Sequence, residues 1–140
     1  MSYDRALYQM YLAQVPMFRS CSSEQLDLLA RVGEAVSVVE GRDIVTEGDA
    51  GSGFYVIASG TADVLRGGET VASLAAGDYF GELSLFDPAP RSATIRATEG
   101  LSCVMLTREA FGAAIDEVPE IRDALLHGMA ARIHELDRRI

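Results

Sequence analysis

Lysine is absent from this sequence. All twelve cationic side chains are arginine, against twenty-one carboxylates, and the formal net charge is −9. Without lysine there is no Walker-type phosphate loop, no Schiff-base enzyme and no protein kinase core. The acidic balance repels polyanions on average, so neither nucleic acid nor an anionic membrane surface is an expected partner. A small monoanion is not excluded, because one local arginine and oriented amides outweigh a screened global field. Cysteine is scarce as well: Cys21 and Cys103 are too few for a disulfide framework or a four-thiolate iron–sulfur cluster, and suggest reduced thiols in a cytoplasmic protein. The two histidines, His127 and His134, lie seven residues apart near the end of the chain. They have no evident third metal ligand, form no Ser/His/Asp set, and leave the middle of the chain without the histidines that a haem or a cupin metal requires. No catalytic constellation emerges, and the reading is of a protein that is not an enzyme. Apolar runs are only strand-length and the N-terminus lacks a signal-peptide layout, so no membrane span is expected.

What is present is organised as helix, then strands, then helix. The 140 residues, 49% hydrophobic and 24% charged, suit one soluble domain with its own core. Residues 1–35 read as helical: Ser2 to Val15 has apolar positions at mixed helical spacing and is stopped by Pro16, and Ser22-x-x-Gln25 is a capping-box signature opening a second helix. Residues 36–106 change to short apolar runs: Val36–Val39, Ile44-Val45, Phe54–Ala58, Ala62–Leu65, Thr70–Leu74, Ala93–Ala97 and Leu101–Leu106. Ten of the thirteen glycines fall between Gly41 and Gly100, which confines the turn-rich β portion to that stretch. Residues 107–140 return to a helical pattern, with Thr107 as a cap and Pro119 in a first turn. The expected fold is α+β, mainly β: an antiparallel β jelly roll flanked by N-terminal and C-terminal helices, with a short helix inside residues 80–94.

That inner segment, Phe80-Gly81-Glu82-Leu83-Ser84-Leu85-Phe86-Asp87-Pro88-Ala89-Pro90-Arg91-Ser92-Ala93-Thr94, carries the chemistry. Arg91 offers paired planar donors that suit two phosphate oxygens and stay charged when partly buried. The run from Leu83 to Phe86, stopped by Pro88, is long enough for one helical turn, whose first amides lack intrahelical partners and add an anion site. Gly81 removes a side chain where backbone must come close to the ligand. Ser92 supplies a hydroxyl beside Arg91, and the acceptor-only carboxylate of Glu82 suits a ribose 2′-hydroxyl. Taken alone, a Gly-Glu or a Pro-Arg pair is an ordinary turn or a solvated ion pair. Their joint register is the informative feature.

The segment resembles, without insertion or deletion, the phosphate-binding cassette of cyclic nucleotide-binding domains, Phe-Gly-Glu-x-x-Leu-x-x-x-x-Pro-Arg-small-Ala. Glu47-Gly48-Asp49 followed by Phe54-Tyr55-Val56-Ile57 and Gly60 is similar to that family's turn and aromatic-aliphatic strand, and Gly77-Asp78-Tyr79 to the turn leading into the cassette. The resemblance covers nearly the whole chain, so residues 1–140 are read as a single cyclic nucleotide-binding domain. It implies a ligand site built from Phe80, Gly81, Glu82, Leu83, Ser84, Pro90, Arg91, Ser92 and Ala93, with no cofactor and no metal. Ser92 resembles the bacterial cAMP-type cassettes, which makes cAMP the expected ligand and cGMP the lesser one. A protein kinase regulatory subunit, a cyclic nucleotide-gated channel and a catabolite-activator-type regulator all share such a domain. The last of these continue into a helix-turn-helix, whereas this sequence stops at Ile140, so direct DNA binding is not expected.

On the final helix Leu126, Met129, Ile133, Leu136 and Ile140 repeat at steps of three and four. One reading is a stripe packed on the β roll. The reading the resemblance implies is a lid over the base, with Met129, Arg132 and Ile133 as its residues, or a dimer seam. The expected function is a cAMP sensor whose C-terminal helix closes on the ligand and signals to a downstream protein or a second copy. The alternative is a ligand-free protein-interaction module on the same scaffold.

Overall fold

Seven of the eight strands sit on the apolar runs of the sequence. In chain order they are β1 (Glu34–Val38), β2 (Asp43–Val45), β3 (Gly53–Ser59), β4 (Ala62–Arg66), β5 (Glu69–Leu74), β6 (Tyr79–Phe80), β7 (Thr94–Ala97) and β8 (Leu101–Thr107). The computed structural model describes residues 4–51, 53–87 and 89–137, so Ser52 and Pro88 fall outside it, as do the side chains of Arg132, Leu136 and Asp137. The chain divides into two compact units, one spanning Gly33–Arg108 and one formed by the helical segments before and after it.

In the first unit every pairing is antiparallel, in two four-stranded sheets ordered β1-β8-β3-β6 and β2-β7-β4-β5. This is a jelly roll. The central strands β3 and β8 are buried on both faces over most of their length, whereas β5, at a sheet edge, is exposed on nearly every residue. Ile57, Leu101 and Cys103 from one sheet meet Ala62, Ile95 and Ala97 from the other, with Val38, Val45, Tyr55, Leu74 and Phe80 packed around them. Burying each large member of such a cluster contributes about 1.5–3 kcal/mol. Burial also pushes the Cys103 thiol up to about 11, because a thiolate there would be desolvated. The β3–β8 ladder runs from Ser59 back to Gly53, which pairs with Thr107 at the point where the chain leaves the sheet.

The helical unit holds α1 (Arg5–Gln14), a 3-10 turn (Pro16–Phe18), α2 (Ser23–Arg31), α3 (Arg108–Glu117) and α4 (Glu120–Asp137). Asp4 caps α1 by accepting from the Leu7 amide at 3.0 Å, and Val15 turns extended ahead of Pro16. The capping box is present: the Ser22 hydroxyl accepts from the Gln25 amide and the Gln25 side chain accepts from the Ser22 amide. Helix α4 packs against the Pro16–Phe18 turn, where Gly128 lets the Met17 carbonyl come close, and Arg19 pairs with Glu135 at 2.8 Å.

Details of the helices and of their boundary with the sheet differ from the sequence reading: Glu34 and Ala35, read with the helical part, open β1. Pro119 stands one residue ahead of α4 instead of in its first turn. Among the described residues of α4 the buried large side chains are Ile121 and Leu125, while Leu126 and Ile133 are 58% and 63% exposed. The stripe through Leu126, Met129 and Ile133 is therefore not the packed one. The closer approach available at Gly128, one turn after Leu125, sets which face is covered.

Candidate functional site

The site is built where β6 ends. Gly81 adopts φ +84°, a left-handed conformation that favours glycine, and this turns the chain from β6 into a single 3-10 turn, Glu82–Leu85. The turn starts one residue earlier than the apolar run suggests, so Glu82 is its first residue. The Ser84 amide donates to the Gly81 carbonyl at 3.0 Å and the Asp87 amide to the Leu83 carbonyl at 3.0 Å. Leu85 is buried and anchors the turn, while Leu83 is 66% exposed.

Arg91 is delivered by a different device. The Arg91 amide donates to the Asp49 carbonyl, and the Arg91 carbonyl accepts from the Gly48 amide, both at 2.8 Å. Ala50 and Pro90 form an antiparallel bridge beside that clamp, and the Glu47 amide donates to the Thr94 hydroxyl at 2.9 Å. The Glu47–Gly51 turn therefore fixes the backbone of Arg91 on both of its faces.

The guanidinium is half-buried. Nη2 donates to the Gly53 carbonyl at 2.8 Å, Nη1 to the Ser84 hydroxyl at 3.3 Å, and the buried Nε has no partner among the described residues. Burial pulls the Arg91 guanidinium below its ordinary value, and the neighbouring Tyr55 opposes that. Among the described residues no carboxylate forms an ion pair with it. A desolvated cation held by neutral acceptors alone is an unneutralised charge, and it favours an anion brought from outside.

All nine residues expected at the site line one hollow of about 350 Å³: Phe80, Gly81, Glu82, Leu83, Ser84, Pro90, Arg91, Ser92 and Ala93. Arg91 and Glu82 both line this hollow and form no ion pair with each other. Ser92 is exposed, and its carbonyl accepts from Arg66 Nε at 3.2 Å. Val45, Asp87, Ala89 and Ile95 complete the lining and escaped the sequence reading. Val45 and Ile95 look like ordinary strand residues, and only the β2–β7 pairing, which sets them opposite each other, marks them out. Of the three lid residues, Met129 is half-buried and Ile133 exposed on α4, and the side chain of Arg132 lies outside the described residues. His127 and His134 are both exposed. No helix among the described residues is long and apolar enough to cross a membrane.

The structure is thus a jelly roll with a helical turn and a half-buried arginine on one hollow. Comparison with known proteins makes this specific. Residues 35–118 match the family described as the cyclic nucleotide-binding domain, and this chain belongs to that family. It is 36% identical over 122 residues to a cAMP-dependent protein kinase regulatory subunit of Yarrowia lipolytica, covering 83% of this chain and 32% of that one. The chain thus spans about a third of the length of the curated relatives it matches. Among solved structures, the N-terminal domain of a transcriptional regulator from Streptomyces coelicolor A3(2) is similar at TM-score 0.84 and 28% identity, covering 91% of this chain and 95% of that one. The cAMP-bound PfPKA-R structure is similar at TM-score 0.67 and 26% identity, covering 88% and 46%.

Proposed function

We propose that this protein binds cAMP and acts as a regulatory sensor, with Arg91 receiving the cyclic phosphate and Glu82 the ribose 2′-hydroxyl. The observation that carries the reading is the half-buried Arg91 guanidinium, without a carboxylate partner among the described residues, on the same hollow as Glu82. The 3-10 turn from Glu82 supports it, since the first amides of a helical turn have no partners within the turn and suit an anion. Gly81, Ser84, Pro90, Ser92 and Ala93 shape the phosphate end, and Phe80 and Leu83 the apolar wall. The relative from Yarrowia lipolytica is cAMP-dependent by name, and the PfPKA-R structure holds cAMP. That likeness and the serine at position 92 favour cAMP over cGMP.

In this reading residues 1–140 work as one cyclic nucleotide-binding module. Ligand shifts the population of α4 between open and closed arrangements, with Met129, Arg132 and Ile133 covering the base. The shift is bounded by the ligand's differential affinity for the two states. A downstream protein or a second copy of the chain reads it, and no catalytic step is involved.

A thermal-shift panel of cAMP, cGMP, AMP and buffer tests the reading. At a hundredfold excess over Kd, cAMP stabilises the folded state by about 2.7 kcal/mol, with cGMP weaker and AMP inert. Equal melting in all four solutions means a scaffold without ligand and ends the proposal.

A further inference from the structure

Two glycines on different loops leave room for the same side chain. A Cβ built at Gly51 would overlap Arg91 Nε and would lie 2.5 Å from its Cζ and 2.6 Å from its Cδ. A Cβ at Gly81 would lie 2.5 Å from Arg91 Nη1 and 2.6 Å from the Gly53 carbonyl oxygen. Real Cβ atoms do not approach heavy atoms so closely, so in each case something must move. The two positions differ in what moves. At Gly51 the three nearest atoms all belong to the Arg91 side chain, and the glycine has no left-handed φ. At Gly81 a backbone oxygen is also in the way and φ is +84°. A side chain at 81 therefore disturbs the turn itself, whereas one at 51 first meets the Arg91 side chain.

The slot has further walls. Gly53, two residues after Gly51, gives its carbonyl to Nη2, and the Tyr55 ring lies under the guanidinium with Cζ 5.9 Å from its centroid. Gly51 is itself buried.

We infer that Gly51 is a positioning residue for ligand recognition: its missing side chain is the space that lets the Arg91 guanidinium lie in its slot and face the hollow. The inference rests on the proposed cyclic nucleotide site and adds a residue outside the cassette to it. It makes the Glu47–Gly51 turn serve Arg91 twice, through the backbone clamp at 48 and 49 and through the vacated volume at 51.

The experiment is a double-mutant cycle with cAMP as the probe, measured by calorimetry on the full chain, using Gly51→Ala, Arg91→Ala and the double variant. Gly51→Ala should weaken binding by at least about tenfold, the scale of a misplaced charge-assisted bond. Its melting temperature without ligand should fall less than its affinity does, because the nearest atoms displaced belong to the Arg91 side chain and not to backbone. In the Arg91→Ala background, adding Gly51→Ala should change affinity by less than about twofold, since the residue it acts through is gone. Parent-like cAMP affinity in Gly51→Ala overturns the inference. So does an equal loss in both backgrounds, which would mean a role independent of Arg91. Should Gly51→Ala melt far lower and bind poorly, Gly51→Ser and Arg91→Lys in the same cycle decide: additive losses overturn the inference and coupled losses support it. If the parent chain itself binds no cyclic nucleotide, the failure belongs to the proposed function, and with it the premise of the inference is lost.

Discussion

The Arg91 guanidinium lies over Tyr55, and Tyr55 in turn stacks on Phe80, with ring centroids 5.0 Å apart and planes 13° from parallel. The stack crosses the β3–β6 pair, in which Tyr55 and Phe80 are register partners. The cation thus rests on an aromatic platform whose lower member begins the cassette.

Removing the platform should loosen the cation without deleting it. Tyr55→Leu is expected to weaken cAMP binding by about 0.5–2 kcal/mol, the range for a cation over an aromatic face. Tyr55→Phe keeps the ring and should bind as the parent does. Calorimetry on both variants checks this, and a large loss in the phenylalanine variant would point to the hydroxyl instead.

Arg91→Ala should cost roughly 2–5 kcal/mol of cAMP binding, because the phosphate is left without its cation. Stability without ligand should change less, since no ion pair is broken and a desolvated charge is removed together with its bond to Gly53. Paired calorimetry and thermal melting separate the two effects. Parent-like affinity would remove Arg91 from the site.

Glu82 is tested by selectivity. The parent should prefer cAMP over 2′-deoxy-cAMP, and Glu82→Ala should bind the two nearly alike. Should the variant lose affinity for both ligands by the same factor, the carboxylate is not reading the 2′-hydroxyl.

Burial raises the Cys103 thiol from 9.0 to about 11. The folded state therefore holds its proton through a range where the unfolded chain releases it. The stability this contributes is fully present below pH 9 and is lost as pH rises from 9 through 11. Cys21 is raised in the same way, also to about 11. Urea midpoints at pH 7 and pH 10 should fall further for the parent than for Cys103→Ala, and identical pH slopes would contradict the assignment.

Much of this architecture is legible in the residue order, because the strands of a jelly roll are short, apolar and glycine-bounded. Strand β6 escaped notice: two residues, Tyr79 and Phe80, carry no periodicity of their own and become a strand only by pairing with Tyr55 and Val56. The cassette was readable as chemistry because its charged and small residues are contiguous. The partners of Arg91 were not, since Gly53, Ser84 and Tyr55 reach it only through the register of the strands and the turn. On α4 the helical period was readable but its phase was not. Leu126 and Ile133 look as apolar as Leu125 and Ile121, and a glycine at 128 that admits the Met17 carbonyl decides which pair is covered.

One peptide unit has two duties. The carbonyl that moors the guanidinium belongs to Gly53, and Gly53 is the register partner of Thr107, the final rung before α3. Anchor and exit therefore share one residue pair, with no loop between them, and an insertion just after Thr107 would leave the mooring of the guanidinium in place.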